Sequence, residues 1–171
     1  MGEVLSPTQL NDRLASKRGQ SAIVTTNGCF DILHVGHLRY LQACKAMGEI
    51  LVVLVNSDSS VRRLKGPKRP IVSESDRAEL IAGLGCVDYV VLFEEDTPEP
   101  LLEIIKPDYH AKGAQYNEEN LPEMATLRKI GAQVRFVPMV DNRSTTNVID
   151  TIIQRLATTN ATSTQEPSCP A

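Results

Sequence analysis

At 171 residues the chain has room for one domain with its own apolar core. Charges are mixed and the formal net charge is −3, which argues against a dedicated nucleic-acid binder but leaves small anionic substrates open, since local charge decides those. No apolar run reaches membrane-spanning length, no secretory leader opens the chain, and Cys29, Cys44, Cys86 and Cys169 are too scattered for a disulfide framework or zinc site, so a cytoplasmic protein with reduced thiols is expected.

Residues 6–18 read as a short helix, and "AIVTT" (22–26) as the first strand. "HLRYLQACKAMG" (37–48) is helical, with Leu38, Leu41, Cys44 and Met47 at threefold spacing and Gly48 at its end. "ILVVLV" (50–55) is the continuous apolar run of a strand buried on both faces. The basic stretch "VRRLKGPKRP" follows, and its ordinary reading is a solvated loop. "SESDRAELIAGLG" (73–85) is a helix opened by Ser73, with Asp76 three residues on. "VDYVVLF" (87–93) is a strand, and "TPEPLLEII" (97–105) a helix with a Thr97 cap and Pro98 in its first turn. "PDYHAKG" (107–113) is a strand, "LPEMATLRKIG" (121–131) a helix, "AQVRFV" (132–137) a strand and "STTNVIDTIIQRL" (144–156) a helix. Residues 158–171, rich in Thr, Ser and Pro, read as a disordered tail that contains Cys169.

Five strands alternating with helices predict an α/β fold, a doubly wound five-stranded parallel sheet with helices on both faces, as one domain over residues 1–157. Such sheets bind ligands at the carboxyl ends of their strands, and the chemically capable residues stand there. Asn27, Gly28, Cys29, Phe30 and Asp31 follow the first strand, then His34, Gly36 and His37 at a helix start. A glycine alone would serve a turn and a histidine alone would be structural. Two histidines three apart, around a glycine that permits close approach, instead aim imidazole and free helical N–H groups at one spot that favours an anion. Lys112 and Gly113 end the fourth strand, and Ser144, Thr145 and Thr146 stand at the start of the last helix, two more hydroxyls than a cap requires. Among the basic residues Lys65 and Arg69 are the candidates for a triphosphate; Arg77 is a phosphate contact or a surface residue, and Lys45 could point either way. Asp31 and Asp58 could help hold Mg²⁺ or orient a neighbouring cation. Cys29 has no base placed beside it by the sequence and reads as filler.

"NGCFDILHVGH" resembles the HxGH signature of the nucleotidyltransferase superfamily, and "RSTT" its second, hydroxyl-rich signature. With "VNSD", "LKG…RP" and "FEEDTP", residues 21–155 are most similar to the D-glycero-β-D-manno-heptose 1-phosphate adenylyltransferase family. The resemblance implies a Rossmann-like nucleotidyltransferase fold, transfer of AMP from ATP to a sugar 1-phosphate with release of pyrophosphate, Mg²⁺ accompanying ATP, and a homodimer. It also implies catalytic roles for His34, His37, Lys65 and Lys112, and nucleotide binding by Asn27, Gly28, Cys29, Phe30, Gly36, Gly113, Ser144, Thr145 and Thr146. Asp31, Arg69 and Arg77 would meet the incoming substrate. Two departures bear on the acceptor: the family's Lys-Gly-Gly-Asp-Tyr is Lys112-Gly113-Ala114-Gln115-Tyr116 here, and His110 stands where an apolar strand residue is usual. A cytidylyltransferase acting on glycerol 3-phosphate is the nearest alternative, followed by a flavin-nucleotide synthetase and a non-catalytic nucleotide-binding module.

Overall fold

The computed structural model describes residues 1–138, 140 and 143–162. In chain order the elements are β1 (Glu3–Val4), α1 (Pro7–Ala15), β2 (Ile23–Gly28), α2 (Val35–Lys45), β3 (Ile50–Asn56), α3 (Asp58–Lys65), α4 (Glu74–Ala82), β4 (Tyr89–Phe93), α5 (Glu99–Ile105), β5 (Tyr109–Gly113), α6 (Met124–Ile130), β6 (Gln133–Val137) and α7 (Thr145–Thr162). All strand pairs are parallel, in the order β1-β4-β3-β2-β5-β6. The chain runs outward from β2 through β3 to β4 and then crosses to place β5 on the other side of β2. The order therefore reverses between β2 and β5, where a doubly wound sheet opens a crevice.

The core has two layers because strand side chains alternate. Ile50, Val52 and Leu54 of β3 face α1, α5 and α6, packing with Leu14, Leu102 and Leu127. Leu51, Val53 and Val55 face α2 and α4, packing with Leu41, Cys44 and Ile81. All seven residues of β3 are buried, so truncating Leu54 to alanine would cost about 2–5 kcal/mol. No helix among the described residues is long and apolar enough to cross a membrane.

The expected doubly wound architecture is present, with four corrections. The sheet has six strands rather than five, because Glu3 and Val4 pair with Tyr89 and Val90 at the edge; two residues are too few to show a period. The basic stretch begins as helix α3, capped by Ser57, whose hydroxyl accepts from the Ser60 amide. Helix α5 starts later than expected: Thr97 does not cap it but donates to Glu99 Oε2 at 2.9 Å. Helix α7 continues to Thr162, so residues 158–162 of the expected tail are helical, while residues 163–171, including Cys169, lie outside the described residues.

Candidate active site

A cleft of about 580 Å³ opens over the β2/β5 switch point. Its floor and walls come from strand ends and helix starts: Asn27 and Phe30 after β2, Lys112 at the end of β5, His34 and His37 at α2, and Thr145 at α7.

Helix α2 begins two residues earlier than its apolar pattern suggests, with His34 as an extended N-cap residue and His37 in the first turn. The two rings stack at 3.9 Å between centroids, 21° from parallel, and Phe30 meets His37 edge-on at 5.4 Å. Phe30 reaches that position from a left-handed backbone (φ 46°), a conformation costly for an aromatic residue and a mark of a functional loop. Gly28 leaves room beneath it, since a Cβ there would lie 3.1 Å from the Phe30 ring and push it by a few tenths of an ångström.

Burial, and then the neighbouring His34, push the His37 pKa down to about 4; burial and then Arg143 lower that of His34. Both imidazoles are therefore neutral near pH 7 and act as hydrogen-bond donors rather than cations. The Nδ1 atoms of both are buried without a protein partner. A lone pair left unpaired is the cheaper orphan than an N–H, which puts the ring protons on Nε2, at the tips.

The hydroxyls opposite divide their work. Ser144 Oγ caps α7 by accepting from the Asn147 amide at 3.1 Å, Thr145 Oγ1 donates to the Ile32 carbonyl at 3.5 Å, and Thr146 is exposed at the cleft. On the β5 side the Lys112 ammonium donates to Asn27 Oδ1 and Glu123 Oε1, each at 2.7 Å, and lies 4.9 Å from the centre of the Tyr116 ring. Behind them the Tyr40 hydroxyl donates to the Ala111 carbonyl at 3.0 Å and accepts from Thr26 at 2.8 Å, tying α2 to the two strands.

The cleft gathers most of the predicted residues. Gly36, His34, His37, Lys65, Lys112, Gly113 and the Ser144–Thr146 run reach it or its edge. Cys29 lines it as a protonated thiol, its pKa raised by burial against the opposing pull of Lys65 and Arg77.

Three expectations are corrected. Arg77 cannot meet an incoming phosphate. It is fully buried, and its guanidinium donates to the carbonyls of Val72 and Cys29 and pairs with Asp58 at 2.8 Å. It is a strut beneath the β2–α2 loop. Asp31 borders the cleft, but its carboxylate is occupied by Arg69 Nε and by the amides of Ile71 and Val72, at 2.8 and 2.9 Å. It holds Arg69 rather than a substrate, and leaves the terminal nitrogens of Arg69 for a phosphate. Asp31 and Asp58 are consequently poor Mg²⁺ ligands, and no group of three or more His, Cys, Asp or Glu suited to a metal occurs among the described residues. Lys45 pairs with Asp88, away from the cleft.

Arg143 and Glu123 also line the cleft, and neither was assigned a role from the sequence. Arg143 lines the wall beside His34; its place before three hydroxyls was a usable signal. Glu123 sits at the start of α6 in an ordinary helical pattern, and only the tertiary structure brings it under Lys112.

Comparison with known proteins agrees with this geometry. Residues 25–165 match the family model described as "Cytidylyltransferase-like". The chain is 53% identical over 137 residues to the bifunctional protein HldE of Helicobacter pylori, covering 80% of this chain and 28% of that protein. It is 51% identical over 140 residues to the HldE of Geobacter metallireducens, covering 82% and 29%. It thus spans under a third of the length of the curated relatives it matches. Among solved structures it is similar to the lipopolysaccharide core biosynthesis protein of Thermoplasma volcanium, with 34% identity, a TM-score of 0.60, and coverage of 72% of this chain and 99% of that one. The pantoate-beta-alanine ligase of Francisella tularensis shares the fold at 13% identity and a TM-score of 0.58, covering 90% of this chain and 80% of that one. On its sequence match and on the paired helix starts facing one cleft, the chain belongs to the cytidylyltransferase-like family of nucleotidyltransferases.

Proposed function

We propose that the protein transfers AMP from ATP to the phosphate of a heptose 1-phosphate, releasing pyrophosphate and forming an ADP-heptose for lipopolysaccharide core assembly. The observation that carries this reading is the stacked, neutral His34–His37 pair at the start of α2, facing the Ser144–Thr146 hydroxyls at the start of α7, with Lys112 on a third side. Two helix N-termini with donor side chains hold a chain of phosphates. An acceptor phosphate oxygen attacks the α-phosphorus as the bond to the bridging oxygen of pyrophosphate breaks. No covalent enzyme intermediate is needed, and rate comes from alignment and from donors at the growing negative charge. His34 and His37 donate to the α-phosphate and the departing bridge. Lys65, Arg69 and Lys112 bind the outer phosphates and the acceptor phosphate. Asn27, Gly28, Cys29, Phe30, Gly36 and Gly113 shape the nucleotide side.

Mg²⁺ belongs to the proposal as a companion of ATP, bound by phosphate oxygens, since the site's carboxylates are already engaged. Cytoplasmic location and a homodimer are further parts of it; the exposed Ile152, Ile153 and Leu156 on α7 support the latter, and sedimentation at micromolar concentration tests it.

The deciding experiment offers the purified protein each nucleoside triphosphate against heptose 1-phosphates, other sugar 1-phosphates and glycerol 3-phosphate, with pyrophosphate release as the readout. Turnover with ATP and a heptose 1-phosphate is expected. Turnover only with CTP and glycerol 3-phosphate would replace this reading with the cytidylyl one, and release from no pair would leave a binding module.

A further inference from the structure

At the floor of the cleft, between β5 and α6, lies a buried ionic cluster that phosphate binding does not by itself require. Glu123 is 1% exposed and His110 fully buried. Glu123 takes the N-cap position of α6 yet makes no capping bond there. Its Oε1 instead accepts from Lys112 Nζ at 2.7 Å and from His110 Nε2 at 3.2 Å. His110 precedes Lys112 by two residues on β5, so both side chains leave the same face of the sheet.

The hydrogen bonds fix the state of this cluster. An ionised carboxylate only accepts, so Nε2 of His110 bears the proton, and Nδ1 accepts from the Thr25 hydroxyl at 2.8 Å. Burial keeps the imidazole neutral. Burial would raise the Glu123 pKa, but the His110 hydrogen bond and the Lys112 charge override it and bring it down to about 2. The cluster is then one cation, one anion and one neutral donor. A buried ion pair stabilises a fold no better than apolar packing of the same volume, so stability alone gives little reason for it. Geometry gives a better one: two of the three Lys112 donors are spent on Asn27 and Glu123, and the remaining N–H has a fixed direction.

We infer that Glu123 and His110 are positioning residues, a buried pair that holds the Lys112 ammonium at the β2/β5 crevice with one N–H directed at the reacting phosphates. The inference rests on the nucleotidyl-transfer reading above. His110 orients Glu123, Glu123 orients Lys112, and neither touches substrate.

Glu123→Gln removes the charge and keeps the shape. Its kcat is expected to fall about 10- to 100-fold, as when a supporting partner of a reacting group is lost. The KM for ATP should stay level or fall, because the cleft loses a negative charge. His110→Leu should lower kcat about tenfold, and His110→Gln, whose amide restores the donor to Glu123, should recover to within threefold of wild type. A merely structural role would lower the melting temperature and raise KM without separating the leucine from the glutamine variant. A kcat for Glu123→Gln within twofold of wild type would overturn the inference, as would equal kcat values for the two His110 variants; if Glu123→Gln does not fold, the His110 pair decides. Absence of turnover by the wild type with every substrate pair would sink the proposed function instead. Positioning is then read from a crystal structure of Glu123→Gln, or of His110→Leu if the former does not fold: Lys112 Nζ should leave Asn27, and a contact still at 2.7 Å would refute the pair's role.

Discussion

Gly36→Ala separates the geometry of the histidine pair from the stability of the fold. A Cβ at Gly36 would lie 2.9 Å from both Cε1 and Nδ1 of His34 and 3.1 Å from the Arg143 Cβ, whereas unstrained carbon contacts are about 3.5–4.0 Å. The His34 ring must therefore move by roughly 0.6 Å or more, and the stack with His37 at 3.9 Å cannot survive unchanged. A misplacement of about 1 Å at a reacting centre costs on the order of 100-fold, so kcat/KM should fall about 10- to 100-fold, or about 1.4–2.7 kcal/mol of transition-state stabilisation. The fold should not suffer. His34 is only half-buried and can swing outward, and alanine exceeds glycine in helix propensity by at most about 1 kcal/mol, less in a first turn. Pyrophosphate release and a thermal melt on the same preparation measure both quantities. Gly85→Ala is the control, since a Cβ there meets nothing within 4 Å. Activity in Gly36→Ala within threefold of wild type, at an unchanged melting temperature, would refute the claim that this glycine makes room for a working histidine.

His37→Ala should abolish pyrophosphate release while leaving circular dichroism unchanged; retained turnover would remove the role assigned to the ring. Arg77→Met strands three acceptors, the carbonyls of Cys29 and Val72 and the Asp58 carboxylate, and should cost about 3 kcal/mol, seen as a fall of about 10 °C in melting temperature; a loss under 1 kcal/mol would show that the strut is dispensable. Cys29→Ala should keep activity within about threefold, since burial keeps the thiol protonated, and complete loss would contradict that. His37 has a folded pKa of about 4 against 6.5 unfolded, so the unfolded chain binds the proton first as pH falls. Its contribution is whole above the unfolded pKa and drains away between about 6.5 and 4, giving about 2 kcal/mol lost from pH 7 to pH 5. Urea unfolding should show that loss in wild type and not in His37→Gln; equal losses would place the ring in water.

What the sequence revealed and what it hid follow from how far each feature depends on distant partners. The β3 run and the glycine- or hydroxyl-bearing strand ends are local patterns, so both the sheet and much of the cleft lining could be read from them. Helix α3 was missed because Asp58–Lys65 is polar almost throughout, with Val61 its one buried apolar side chain; two apolar residues, Val61 and Leu64, are too few in eight to display a helical period. Arg77 had a readable clue, since it shares the buried face of α4 with Ala78 and Ile81, a place where a surface arginine does not belong. Asp31 had none: its carboxylate is spoken for by residues 38 to 41 positions away. The same holds for Glu123, whose meaning depends on β5.

On the proposed function, the charge pattern around the cleft bears on how ATP would arrive. Each acidic group near the site is matched to one of the protein's own cations: Asp31 to Arg69, Asp58 to Arg77, Glu123 to Lys112 and Asp96 to Arg63. The histidines are neutral. That leaves Lys65 and Arg143 as the cleft's unmatched positive charges among the described residues. Two cations fall short of the roughly four negative charges of a triphosphate, and the shortfall grows when a second, phosphorylated substrate enters. Carboxylates that have been neutralised do not repel the nucleotide, but neither can they recruit a metal for it. On the proposed function, a divalent cation already bound to the triphosphate would supply the missing charge without needing a protein ligand. The proposed reaction would also account for the cleft's heavy use of uncharged donors, at His34, His37 and the start of α7: they would align phosphate oxygens without holding pyrophosphate so tightly that its release would slow the cycle.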